Sequence, residues 1–392
     1  MSIGIIPTLD AGFYQAARQA GIGPLQWLSE RVTERYIETG QDYRGRDVDP
    51  ETDVQKHVDR LLRRFGDPAP HTVRHAQIVR AALDTYGIER ELEARGIRRG
   101  IHDCTKFFGP GASDNSPLFP PTLASSFIVA KISAGLVDLM VFADVQSDRL
   151  TVDKVRLNEA ADDRQMRNVA IGSPLPTTEL SRVETNVPVR KYGRLFEYAR
   201  EIQEVTPLMV VEGFIRQIAL QRAVDETDEV LEILHAGDGE TGSAVTDTTP
   251  ATDGTLAYAD LITLELAFAN GYVGRTGLVT ATAFQTILGM SEYKDPLARR
   301  GVGLDRDMPS VPTPSGAGTL YRWQSTGSTY MAEASGRIPL VDPSMSCYVV
   351  RSPLLEEMDD VISSGRRQIA LSYRMAVVKG DPNCIKSLDI LA

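Results

Sequence analysis

From residue 8 to about residue 100, apolar residues recur at helical three-and-four spacing, with breaks at 21–24, 40–50 and 66–70 where Gly and Pro cluster. The clearest helix is predicted over 70–94. Short helices divided in this way predict an extended arm rather than a compact bundle. Residues 109–121, GPGASDNSPLFPP, read as a punctuated linker whose proline pair opens the next helix. That helix is predicted to turn at Gly135 into a buried strand. A long hairpin is predicted next, with limbs near 166–171 and 181–193 around GSPLPTTEL. Val183, Thr185, Val187 and Val189 alternate with Arg182, Glu184, Asn186 and Arg190, the period of a strand with two unlike faces. A two-stranded ribbon is marginal in water alone, so it needs a surface to lie on.

Thr206 and Pro207 predict the start of a long helix to about His235, with Leu208, Val211, Phe214, Ile215, Ile218 and Ala219 as its apolar stripe. A polar loop, GDGETGSAVTDTTPATDG, ends it. Residues 256–272 are predicted helical, LVTATAF leads a strand into a short helix, and 292–318 form a Gly/Pro-rich excursion. The chain returns through RIPLVDPSMSCYVVRSP, a short helix from Pro353, and a last strand over 368–379. In that strand Ile369, Leu371, Tyr373, Met375 and Val377 share one face, the cleanest period-two signal in the chain.

With 392 residues, 42% of them apolar and 24% charged, the chain is long enough for two or three domains and too apolar to be largely disordered. A formal charge of −11 removes the overall basic footprint of a protein that grips nucleic acid by its phosphates. An acidic container that repels DNA and leaves it free to move remains compatible. Cys104, Cys347 and Cys384 are widely spaced without a CxxC pair and read as free thiols in a reducing cytoplasm. No secretory signal is expected at the start. The apolar stretch 123–143 is interrupted by Lys131 and Asp138 and reads as a buried helix and strand rather than a membrane span.

Candidate chemistry is sparse. Gly237, Gly239 and Gly242 fit GxGxxG but follow a helix and precede a Thr-rich loop, so a turn is the better reading than a dinucleotide site. His71, His75, His102 and Cys104 allow a zinc site on paper, with spacing that fits no common pattern. His57 and His235 stand alone, and no HExxH or GxSxG occurs. The acid pairs Glu356–Glu357 and Asp359–Asp360 are expected on the solvated face of a short helix, and the N-terminal arginines from Arg60 to Arg99 on solvated helix faces. No catalytic residue, cofactor or metal is expected, and no enzyme activity.

The order of parts, SPLFPPTL, the hairpin around GSPLPTTEL, VPVRKYGRLFEYAREI, the long helix, and RIPLVDPS with the terminal strand, resembles the tailed-bacteriophage major capsid family of Hong Kong 97-like fold. The likeness runs from about Ser116 to the end and is most specific at KYGRLFEYAREI. Where many relatives carry a Glu-Gly-Ala-like turn with a proline a few residues on, this chain has IGSPLP, so the match is one of arrangement. The resemblance implies an α+β fold. Its parts would be an N-terminal helical extension and arm (1–115), the start of a peripheral domain (116–160), an extended hairpin loop (161–195), a spine helix (196–242), an axial domain (243–345), and a return through the peripheral domain to the C-terminal strand (346–392).

In function it implies a self-assembling shell of pentamers and hexamers around double-stranded DNA. The shell would form in the host cytoplasm and become the virion capsid, with portal and decoration proteins as further partners. Some relatives weld their shells through a lysine in the extended loop. None lies between Asn158 and Arg190 here, so a noncovalent shell is expected. Relatives often cut away a helical N-terminal segment, and here a permanent arm is the favoured expectation. The rivals are an encapsulin-like nanocompartment shell and a soluble enzyme built on the GDGETG loop or the histidine cluster.

Overall fold

A computed structural model describes residues 12–99, 104–108, 113–147, 149, 151–157, 180–199, 206–237, 245, 247–252, 254–269, 271–294, 309–323, 330, 336–361 and 366–390. The fold is α+β. Four helices come first: α1 (Gly12–Ala20), α2 (Pro24–Thr39), α3 (Pro50–Arg64) and α4 (Val73–Ala94). Pro24 and Pro50 occupy first-turn positions where a missing N–H costs nothing, and Gly40 stops α2 in the left-handed conformation. The Thr72 side chain caps α4 by accepting from the His75 amide at 3.2 Å. Helices α2 and α4 cross at Gly87, where a Cβ would stand 2.4 Å from the Ser29 nitrogen, so only glycine permits the approach.

A one-turn helix α5 (Thr105–Phe108) leads into α6 (Phe119–Ala134), which ends at Gly135 as its sequence predicts. Strand β1 (Ala143–Gln146) follows, then β2 (Thr151–Leu157), β3 (Leu180–Pro188) and β4 (Arg190–Ala199). Helix α7 (Leu208–Ala236) has 29 residues and is about 43 Å long. The second lobe holds α8 (Tyr258–Leu266), β5 (Thr276–Val279), α9 (Ala281–Gly289), α10 (Ser291–Lys294), β6 (Ser310–Pro312), β7 (Thr319–Arg322) and β8 (Arg337–Val341). The chain closes with β9 (Cys347–Arg351), β10 (Leu355–Val361), β11 (Arg366–Lys379) and β12 (Ile385–Asp389).

Strand β11 organises the first sheet, pairing antiparallel with β4, β9 and β10, while β1 adds parallel to β9. A second sheet runs β12-β8-β5-β7-β6, and β2 with β3 forms a separate ribbon. The alternating residues of β11 are buried as their period predicts: Ile369 and Leu371 join a core with α6 and the start of α7, and Tyr373, Met375 and Val377 join one with the end of α7. Helix α7 therefore links two cores. A third fills the second lobe around Phe284, Ile287, Leu320, Ile338 and Leu340.

Two expectations are overturned here. The segment after Pro353 is a strand, not a helix, because β11 offers its free edge and pairs with it from Leu355↔Ser372 to Val361↔Arg366. The N-terminal helices are not an extended arm: Phe13, Leu25, Leu28, Ile88, Leu92 and Phe107 share one buried cluster with Phe119, Leu123, Leu208, Ile215, Ile369 and Leu371.

Candidate functional site

The ribbon is the first candidate surface. Strands β2 and β3 pair from Thr151↔Pro188 to Leu157↔Leu180, with a register shift at Asp153/Lys154. The limb predicted near 166–171 lies outside the described residues, and the partner of the 181–193 limb is instead 151–157. This moves Lys154 into the ribbon, so the lysine-free loop from which a noncovalent shell was expected does not correspond to the ribbon as built. Past Pro188 the chain leaves the ribbon and runs beside β11, with Tyr192 opposite Tyr373. Val187 is buried against Ala376 and Val378, with Val152, Val189 and Tyr348 beside it. The base of the ribbon thus finds part of the surface it needs within the subunit.

The seam between the N-terminal helices and the rest is polar as well as apolar. Gln77 donates to Asp144 at 2.9 Å, Arg74 lies 3.5 Å from Asp138, and Arg80 lies 3.8 Å from a second Asp144 oxygen. Arg95 binds Glu91 at 2.6 Å and Asn115 at 2.9 Å, Arg99 donates to Ser125, and Tyr14 donates to the Pro117 carbonyl at 2.7 Å. Several arginines read as solvated are therefore fasteners. A deeper cluster lies beneath: Glu226 accepts from Lys131 at 2.5 Å, Arg351 at 3.2 Å and the Tyr373 hydroxyl, while Arg351 also holds Asp144 at 3.0 Å. Burial acts to raise the Glu226 carboxyl, but Lys131, Arg351 and Arg222 outweigh it and bring it to about 2. Burial draws the Lys131 ammonium down to about 8 against the pull of Glu226. Beside these groups a cavity of about 130 Å³ opens between Gln77, Asp84, Phe127, Lys131, Asp144 and Arg351.

Exposed apolar groups form the third feature. The first half of α7 turns Met209 (61%), Val210 and Phe214 (62%) outward while Leu208, Ile215 and Ala219 face the core. Phe214 was expected within the buried stripe; the helix is apolar on two faces there, and only one is covered. Gly213 sits among the outward residues, and a Cβ there would meet nothing in this chain. On α8, Leu266 is 78% exposed and Ile262 stands one turn before it. Phe142, just before β1, and Val145 within it are exposed, so the strand expected to be buried after Gly135 is not.

The residues singled out for chemistry are scattered. His71 is exposed in the turn before α4 and His75 lies in its first turn, whereas Cys104 is buried with Phe107; His102 is outside the described residues. No group of three or more potential metal ligands occurs among the described residues. His57 is buried beside Thr85 and Glu89, and His235 bonds Asp247 at 2.8 Å. Gly237 ends α7, while Gly239 and Gly242 are outside the described residues. The three cysteines are buried free thiols. Glu356, expected to be solvated, is buried. Among the described residues no helix is long and apolar enough to cross a membrane.

The sequence matches no family model and no curated protein. Similar solved structures include the capsid of a native GTA particle, at 13% identity and TM-score 0.47 over 66% of this chain and 91% of that one. A virus-like particle from Pyrococcus furiosus is similar at 11% identity and TM-score 0.44, over 68% of this chain and 98% of the other. A holo-SrpI encapsulin complex from Synechococcus elongatus is similar at 11% identity and TM-score 0.42, over 65% and 86%.

Proposed function

We propose that this chain is a shell-forming major capsid protein of Hong Kong 97-like fold that assembles with copies of itself into a closed particle and performs no catalysis. The observation that carries this reading is the two-stranded ribbon: β2 and β3 form their own sheet, anchored to the body near Val187 and Val152. A ribbon of that kind gains stability from a third surface, and a neighbouring copy supplies one. The outward Met209, Val210 and Phe214, and separately Leu266, give each copy apolar area to bury on association. Pentamers and hexamers are the arrangement the resemblance implies, and the net charge of −11 suits a lining that repels packaged double-stranded DNA.

Electron microscopy and sedimentation of the purified chain test the proposal. Closed particles of uniform diameter are expected, and a stable 43.0 kDa monomer at high concentration would overturn it. The encapsulin-like alternative separates by content: nuclease-protected DNA in particles from the natural source supports a capsid, and protein cargo without DNA supports a compartment.

A further inference from the structure

The N-terminal helices meet the first sheet at one unusual side chain. Glu356, on β10, is 2% exposed, and neither of its carboxyl oxygens has a hydrogen-bond partner among the described residues. It sits where α2 begins. The backbone there abuts the strand so closely that a Cβ on Gly23 would stand 2.8 Å from the Leu354 carbonyl oxygen. An ionised carboxylate in such a place is costly, because burial removes its water and the nearby Leu25 and Glu356 amides replace only part of it. A protonated one is not.

We propose that Glu356 is a proton-operated latch: α1 and α2 seat against β10 with this carboxyl neutral, and its ionisation favours their release. Every element around it shapes the balance. From α4, Asp84 adds negative charge that opposes ionisation, with Arg80 moderating Asp84 in turn. From α2, the Leu25 amide favours the ionised form. On α1, Arg18 is committed to Glu357, the next residue of β10. Across the ladder, β11 presents the apolar Leu371. On α6, Lys131 is held by Glu226. Among the described residues no cation pairs with Glu356. Burial first, then Asp84, raises its carboxyl to about 8 while seated. Once released it returns to the ordinary carboxylate range near 4.5.

The sign follows from linkage. The seated state binds one more proton than the released state between those two values, so seating is strongest at acid pH and weakens as pH rises toward 8. Above that it changes no further. The inference concerns the subunit and stands whether or not the subunit assembles.

Hydrogen–deuterium exchange of the full chain from pH 5 to 9, corrected for the intrinsic pH dependence of exchange, tests it. The opening constant of α1 and α2 amides is expected to rise toward about tenfold per pH unit up to pH 8. In Glu356→Gln, which keeps the shape without the charge, the rise above about pH 6, where Asp84 is already ionised, should vanish. Glu356→Leu gives a second uncharged variant should the first fold poorly. A flat wild-type profile overturns the latch. So does an equal rise in either variant, or a rise shared by the β5–β8 amides, which would mark global unfolding.

Discussion

The N-terminal helices and the ribbon both join the central sheet, yet they are held in opposite ways. The helices contribute Phe13, Leu25, Leu28, Ile88, Leu92 and Phe107 to a core completed by β11 and α7, and ion pairs ring the seam. The described contact of the ribbon with the body is a small cluster around Val187. One region is stabilised from within the subunit. The other has only a small described contact with it. The two regions thus differ in how much of their support the chain itself supplies.

Substitutions that break this contrast are ordered by their expected effect on subunit stability. Phe107→Ala, at a fully buried position shared by helices and sheet, should cost about 3–5 kcal/mol in denaturant titration. A loss under 1 kcal/mol would mean the helices are only loosely attached. Arg351→Ala leaves Glu226 and Asp144 short of a cation in a buried setting and should cost about 3 kcal/mol. Gly87→Ala drives a methyl into the α2 backbone and should cost about 1–3 kcal/mol, read from the same titration. Val187→Ala should cost about 1–2 kcal/mol, since the cluster it leaves is small. Phe214→Ser should move stability by less than about 0.5 kcal/mol and still lower particle yield. Sedimentation checks that yield, and unchanged yield would remove this face of α7 from the assembly surface.

The ribbon also sharpens the question of covalent welding. Boiled particles should run as single chains in detergent gels. Linked ladders that disappear in Lys154→Ala would show that the ribbon lysine welds neighbours.

Much of the architecture was legible where one periodicity dominates. Residues 369–377 alternate cleanly because β11 is covered on one face by helices, and the run from Leu208 to His235 keeps helical spacing along its buried side. The segment LEEMDDV misleads because Leu355, Met358 and Val361 recur every third residue, a helical spacing; the free edge of β11, far along the chain, decides for a strand. The packing of the N-terminal helices was hidden for a related reason. Arg99 meets Glu212 and Arg18 meets Glu357, partners that no local window contains. Lys154 was missed because the first limb was placed some fifteen residues too late, where the chain has apolar residues but no described strand.

The core joining Phe13 to Leu371 sets an order of events during synthesis. The first helices emerge long before β10 and β11, on which they seat. Contacts this distant along the chain slow folding and leave the early helices uncovered until β11 has emerged. Products truncated before β11 therefore cannot close this core. Emergence of β11, far along the chain, becomes the checkpoint for closing this core.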